Sequence, residues 1–202
     1  MTSENIFRFP ILSLFLLMFT ISIYFRRKAD VSGGDDIQFD EEGTWIYHFR
    51  VLFALLSYGS ILAYLAYPPS MQWAQIALPL WLRWAGIGIM VTMLPLIYWM
   101  FSSLGKNITP TVVTREEHSL VTEGPYKWIR HPLYSFATMN FIGLSLAAAN
   151  WFILLMIACI FIILHSRTHI EEAKLLDRFG DEYQKYINST GRYLPRLGKG
   201  TT

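Results

Sequence analysis

Five apolar runs, each close to the thickness of a bilayer when helical, constrain this 202-residue chain more than anything else in it. They are Phe9–Phe25, Val51–Tyr67, Trp81–Phe101, Pro132–Ala149 and Trp151–Ser166. A helix needs about 20 mostly apolar residues to cross the hydrocarbon core, with a range of roughly 17–25. Hydrophobic residues make up 53% of the chain, against roughly 45–50% in soluble domains. The sequence therefore predicts an all-α, polytopic membrane protein of about five transmembrane helices. The fourth run breaks at Asn150 and the fifth is short for a full crossing, so the two are expected to form a helical hairpin turning at Asn150–Trp151. Arg26, Arg27 and Lys28 follow the first run without a small-residue cleavage site, which makes that run an anchor and not a signal peptide.

Lysine and arginine set the expected orientation. Arg26, Arg27, Lys28 and Arg50 fall in the first long loop, Lys106, Arg115, Lys127 and Arg130 in the next, and seven more cations follow the last run. The opposite side has only Arg8 and Arg83. The amino terminus is expected outside, with both large loops and the tail in the cytoplasm. The segment "KADVSGGDDIQFDEEG" has the acidic, glycine-containing composition of a linker, and the paired prolines of "YPPS" make a turn. A net charge of +2 argues against nucleic acid. The single cysteine, Cys159, makes neither an intramolecular disulfide nor a cysteine-rich zinc site. "GIGIM" lies inside a run and lacks the third glycine of a dinucleotide-binding loop.

Two polar segments carry the candidate chemistry. "GPYKWIRHPLY", Gly124 to Tyr134, holds three cations, three aromatics and no acid. Such residues collect at membrane interfaces for purely physical reasons, so this stretch alone reads as an interfacial belt or as a site, with the belt the simpler account. Pro132 fits the first turn of the fourth helix, where a missing N–H costs nothing, and His131 then falls at the cap. After the fifth run, Arg167 and Glu171 are four apart on one helical face, with Glu172 beside them. Both segments emerge from the same hairpin on the same side. They can meet as a pocket of arginines, histidines, tyrosines and a carboxylate, half lined by lipid-facing helices.

The segments "HSLVTEGPYKWIRHPLY", "RTHIEE" and "FGDEYQKY", in that order, resemble the isoprenylcysteine carboxyl methyltransferase family of integral membrane enzymes. The resemblance runs from about Leu104 to Leu197. It divides the chain into N-terminal spans, residues 1–103, and a catalytic module, residues 104–202. It implies a cytoplasm-facing site for S-adenosylmethionine. His118, Ser119, Leu120 and Val121 match a strand-like stretch at the cofactor, and Tyr126, His131, Pro132, Leu133 and Tyr134 match further cofactor-binding positions. Glu171 matches the carboxylate that holds the cofactor. Arg167 matches the arginine that meets the substrate carboxylate, with Arg130 as its helper. The partners implied are a lipophilic, prenylated or similar carboxylate substrate and the membrane lipids around it. Thr111 stands where the family often has glutamine, a departure from the pattern at one polar contact.

The chemistry suits these residues. A sulfonium cation is attracted by carboxylates and by the faces of tyrosine rings. A carboxylate acceptor is already ionised at neutral pH and needs no base, only alignment, and arginine grips it bidentately. Rival readings are a phospholipid amine or small thiol as acceptor, a nicotinamide-dependent membrane reductase, and a non-enzymatic scaffold on anionic lipid. His165 and His169, four apart with Glu172 three further on, have a spacing that can bind a metal, but no third histidine or cysteine converges on them.

Overall fold

The computed structural model describes residues 4–31, 44–105 and 120–196. Five helices stand where the five apolar runs predict them: α1 (Asn5–Val31), α2 (Thr44–Ala66), α3 (Leu80–Leu104), α4 (Pro132–Ala148) and α5 (Trp151–Ser189). Leu16, Leu17 and Phe19 on α1 and Leu52, Leu55 and Leu62 on α2 face outward. In water such a surface would be an aggregation hazard; in lipid it is the expected one. Helices α1, α2, α3 and α5 are each long and apolar enough to cross a membrane, whereas α4, at 17 residues, is shorter. As the helical spacing of Arg167 and Glu171 implies, α5 continues past its apolar stretch, reaching Ser189 for 39 residues in all, roughly 60 Å at 1.5 Å per residue. Its second half carries the polar motif residues. A kink at Gly180, whose φ of 51° is disfavoured for residues with a Cβ, redirects the end of α5.

The hairpin between α4 and α5 turns where the sequence places it. Ala149 takes the left-handed conformation, and Asn150 caps α5 by accepting the Ile153 N–H at 3.1 Å. The "YPPS" turn begins a 3-10 segment, Pro68–Ala74, after which the Ile76 N–H donates to the Ala149 carbonyl at 2.9 Å.

The end of the bundle that holds this hairpin is locked by charge. Arg83 on α3 donates from both terminal nitrogens to the Glu4 carboxylate at 3.0 and 2.9 Å and from Nε to the Ala147 carbonyl of α4 at 2.9 Å. Its guanidinium lies 3.9 Å from the centre of the Phe7 ring. The Tyr64 hydroxyl of α2 donates to the same carboxylate. Arg8 binds the Leu65 and Ala66 carbonyls that end α2, which no intrahelical donor can reach. The two cations counted above as topology markers thus join four helices at one end.

Helices α3 and α4 form the most extensive helix pair in the bundle, and glycine permits it. A Cβ on Gly86 would lie 2.5 Å from the Gly143 carbonyl oxygen and 2.7 Å from the Ala147 nitrogen, and one on Gly143 would lie 2.7 Å from the Gly86 oxygen. Backbone meets backbone, as small residues allow between helices in lipid. Gly86→Ala forces the pair apart and lowers stability by about 1–3 kcal/mol, the range for an overpacked contact. Gly88→Ala, with nothing within 4 Å of its added methyl, leaves the melting temperature unchanged or higher. Thermal unfolding of the two variants in one detergent checks the contrast.

Candidate active site

At the other end of the bundle α1 and α3 finish, α2 and α4 begin, and α5 enters its polar half. A cavity of about 620 Å³ lies there, and ten of the sequence-derived site residues line it: Leu120, Val121, Tyr126, Arg130, His131, Pro132, Leu133, Tyr134, Arg167 and Glu171. The other two, His118 and Ser119, lie outside the described residues, as does Thr111. Leu120 and Val121 have no regular secondary structure. The "GPYK" turn is a 3-10 segment, with Gly124 at a φ of 61° and packed on Ser103 of α3.

His131 caps α4 in a non-helical conformation and Pro132 begins the helix, so the ring is fixed at the mouth of the helix and not along its side. Its Nδ1 lies 3.5 Å from Glu171 Oε2 and its Nε2 lies 3.3 Å from Glu172 Oε1. One imidazole bridges the two carboxylates. Glu171 also accepts the Tyr134 hydroxyl at 2.7 Å and pairs with Arg167 Nε at 3.1 Å. The His131 and Tyr134 rings stack with centroids 5.5 Å apart.

Glu172 faces away from the cavity and holds the wall together. It is buried and accepts from Arg130 Nε at 2.9 Å and from Arg192 through two nitrogens. Burial alone would raise its pKa, but the hydrogen bonds from His131, Arg130 and Arg192 outweigh that and hold it down to about 2. The group stays ionised throughout the neutral range. Arg130, expected beside Arg167 at the acceptor, commits Nε to Glu172 and Nη1 to the Ile187 and Thr190 carbonyls. A buried guanidinium must be paired, and here the partners come from the wall.

Sequence reasoning missed the segment that follows α5. The Arg130 and His131 N–H groups donate to the Gly191 and Arg192 carbonyls at 2.9 and 3.0 Å, and Gly191 N–H returns to Trp128 at 3.0 Å. The Tyr186 hydroxyl donates to the Tyr126 carbonyl at 2.6 Å, and the Tyr193 hydroxyl to Thr168 at 2.8 Å. Gly191 has no room for a side chain, since a Cβ would collide with the Leu194 carbonyl. The "NSTGRY" stretch held a hint in its glycine and arginine, but no periodicity pointed back to residues 128–131. The N-terminal spans were missed too: Met18, Ser22 and Arg26 of α1 and Arg50, Ser57 and Tyr58 of α2 line the same cavity. His165 and His169 have ring centres 5.4 Å apart but turn to Tyr193 and Arg192. Among the described residues no group of three or more histidine, cysteine or acidic side chains is arranged to hold a metal.

The sequence profile of the phospholipid methyltransferase family matches residues 81–182, just over half of the chain. The chain belongs to the phospholipid methyltransferase family. The name of the family points to methyl transfer and away from the reductase reading. Over 83 residues it is 31% identical to the nickel-cobalt-cadmium resistance protein NccN of Alcaligenes xylosoxydans xylosoxydans, a match covering 41% of this chain and 39% of that protein. It is 29% identical over the same length to the cobalt-zinc-cadmium resistance protein CzcN of Cupriavidus metallidurans, covering 41% and 38%. The chain thus spans about two fifths of the length of the curated relatives it matches. Among solved structures it is similar to the eukaryotic intramembrane Ras methyltransferase ICMT, isoprenylcysteine carboxyl methyltransferase. The TM-score is 0.58 at 21% identity, covering 93% of this chain and 68% of that one. At that identity the likeness is one of fold, and it extends the C-terminal resemblance through the N-terminal spans.

Removing one partner from a buried charge network costs about 3–5 kcal/mol. Glu172→Ala is expected to lower stability by that order and to release the stretch after Ser189. Trypsin should then cleave at Arg192 faster than in the wild type, as read by mass spectrometry of the detergent-solubilised protein.

Proposed function

We propose that the protein is an S-adenosylmethionine-dependent carboxyl methyltransferase. Its acceptor on this reading is an isoprenylcysteine or a chemically similar lipophilic acid, methylated at the cytoplasmic face. The observation that carries the reading is the convergence of ten family-matched residues from two separate stretches on one cavity. The cavity's volume is in the range of about 300–1,000 Å³ usual for small-molecule sites. Its polar groups suit the cofactor: the Glu171 carboxylate, the stacked His131 and Tyr134 rings, and the Tyr183 hydroxyl. That hydroxyl is buried on the cavity wall and finds no hydrogen-bond partner among the described residues.

Bound S-adenosylmethionine supplies an electrophilic methyl group on a sulfonium. Glu171, oriented by Tyr134 and Arg167, offers the negative charge and hydrogen-bond acceptors that a cationic, hydroxyl-bearing ligand requires. Arg167 lies beside it and holds the acceptor carboxylate. Arg130 and Glu172 act as positioning residues, fixing His131 and the cavity wall. The apolar side chains from α1, α2 and α5 exclude water and receive the lipid tail, so that alignment and desolvation lower the barrier. The cytoplasmic assignment rests on the distribution of lysine and arginine.

A phospholipid amine is the second reading, favoured by the family to which the chain belongs. An amine must lose a proton, which calls for a base, yet both nitrogens of His131 are already directed at carboxylates. The pH dependence separates the two. A carboxylate acceptor, with a reference pKa near 4, gives a rate that is flat between about pH 6.5 and 8.5. An amine gives a rate that climbs through that range.

Calorimetric titration with S-adenosylhomocysteine tests the cofactor directly. The wild type is expected to bind with a micromolar dissociation constant, about −8 kcal/mol, and Glu171→Ala and His131→Ala to bind at least tenfold more weakly. No binding by folded wild type overturns the reading.

A further inference from the structure

Arg26 and Arg50 were counted above only as markers of orientation, yet both line the cavity. They belong to α1 and α2, outside the stretch matched to the family. The interfacial belt that accounts for cations at this end of the bundle accounts equally for Arg27, which does not line the cavity. What separates Arg26 is its helical face. Met18, Ser22 and Arg26 follow one another at intervals of four on α1 and all face the cavity, with Arg26 Nε donating to Ser22 at 3.3 Å. On α2 the cavity side reads Arg50, Ala54, Ser57 and Ile61. Because α1 and α2 run antiparallel, both stripes carry a guanidinium at the same end of the bundle, a serine hydroxyl farther in, and an apolar side chain beyond it.

Ser57 supplies an independent observation. It is 4% exposed and its hydroxyl finds no hydrogen-bond partner among the described residues. A buried hydroxyl left in that state costs free energy unless a bound molecule completes it. It sits seven residues from Arg50, about 10 Å deeper along the helix.

We propose that Arg26, Arg50 and Ser57 form a second polar subsite of the cavity, which holds an anionic group of an amphiphilic acceptor other than the group that is methylated. The anion binds at the two guanidiniums, Ser57 donates to a polar atom farther along the molecule, and the chain lies against Met18 and Ile61. Guanidinium forks match phosphate and carboxylate and stay charged at any working pH. With five donors each, they accommodate an anion alongside the contact of Arg50 with the Tyr47 ring. The subsite deepens the function proposed above and rests on it. Cofactor and reacting group meet on the α4–α5 wall, while the α1–α2 wall selects which lipid is presented.

The test uses the full chain in a neutral maltoside detergent, titrated calorimetrically with dodecyl phosphate and separately with dodecanoate. The variants are the double Arg26→Gln/Arg50→Gln, Ser57→Ala, and Arg27→Gln as control. Each is also titrated with S-adenosylhomocysteine to show that the cofactor wall is intact. The double variant is expected to bind dodecyl phosphate at least about tenfold more weakly, two charged hydrogen-bonding groups having been removed, with cofactor-analogue affinity unchanged. Ser57→Ala should weaken dodecyl phosphate about two- to tenfold while the melting temperature holds or rises, since an unsatisfied hydroxyl is lost. A merely structural serine would lower the melting temperature and leave binding alone. An equal loss for dodecanoate supports a subsite for any lipid anion; a loss confined to dodecyl phosphate supports one for phosphate. Wild type that takes up neither amphiphile, or binding that is the same in the double variant, overturns the subsite. Failure of the wild type to bind S-adenosylhomocysteine overturns the function proposed above, whatever the amphiphiles do.

Discussion

Two adjacent carboxylates on α5, one toward the cavity and one toward its wall, are the constraint on which the rest of this site depends. Glu171 looks into the cavity and Glu172 into the wall behind it. A single imidazole at the cap of α4 touches both. The helix geometry makes this possible: successive side chains are turned by about 100° around the axis, so one residue can serve a ligand while its neighbour serves the fold. Charges in a site between helices are expensive unless matched. Here Arg130, Arg167 and Arg192 match them, and His131 joins the two groups.

The ends of the bundle divide the work. At one end Glu4 and Arg83 join α1, α2, α3 and α4 through short, largely buried contacts. Glycine lets α3 and α4 lie backbone to backbone nearby. At the other end the helices diverge enough to leave a cavity. Tight packing and an open site are incompatible at the same level of a bundle, and the chain places them at opposite levels.

Much of this was legible in the sequence because membrane helices and ordered motifs both leave strong marks. The five apolar runs, the cap at His131 and Pro132, and the turn at Ala149 and Asn150 follow from rules that act within a few residues. Ten of the residues that line the cavity were legible through resemblance to a known family. The full reach of α5 to Ser189 was not, although Arg167 and Glu171 at helical spacing marked its first turns beyond the apolar run. Nor was the role of Glu172, since one of two neighbouring glutamates cannot be told from the other until the direction of the helix face is known. The contacts of Gly191 and Arg192 with residues 128–131 span some sixty residues of chain and leave no periodic trace. Arg26 and Arg50 were hidden by a second meaning, because the rule that orients a membrane protein already explained them.

The parallel bridge between Ile129 and Gly191 has a consequence for the order of events in biosynthesis. Gly191 and Arg192 are translated after all five helices, yet they accept the backbone donors of Arg130 and His131 and complete the shell of Glu172. The spans can therefore enter the bilayer and pack while the pocket wall is still unfinished. A chain stalled before Gly191 would have its spans in place and its cavity wall incomplete, its charged interior awaiting the segment that closes it.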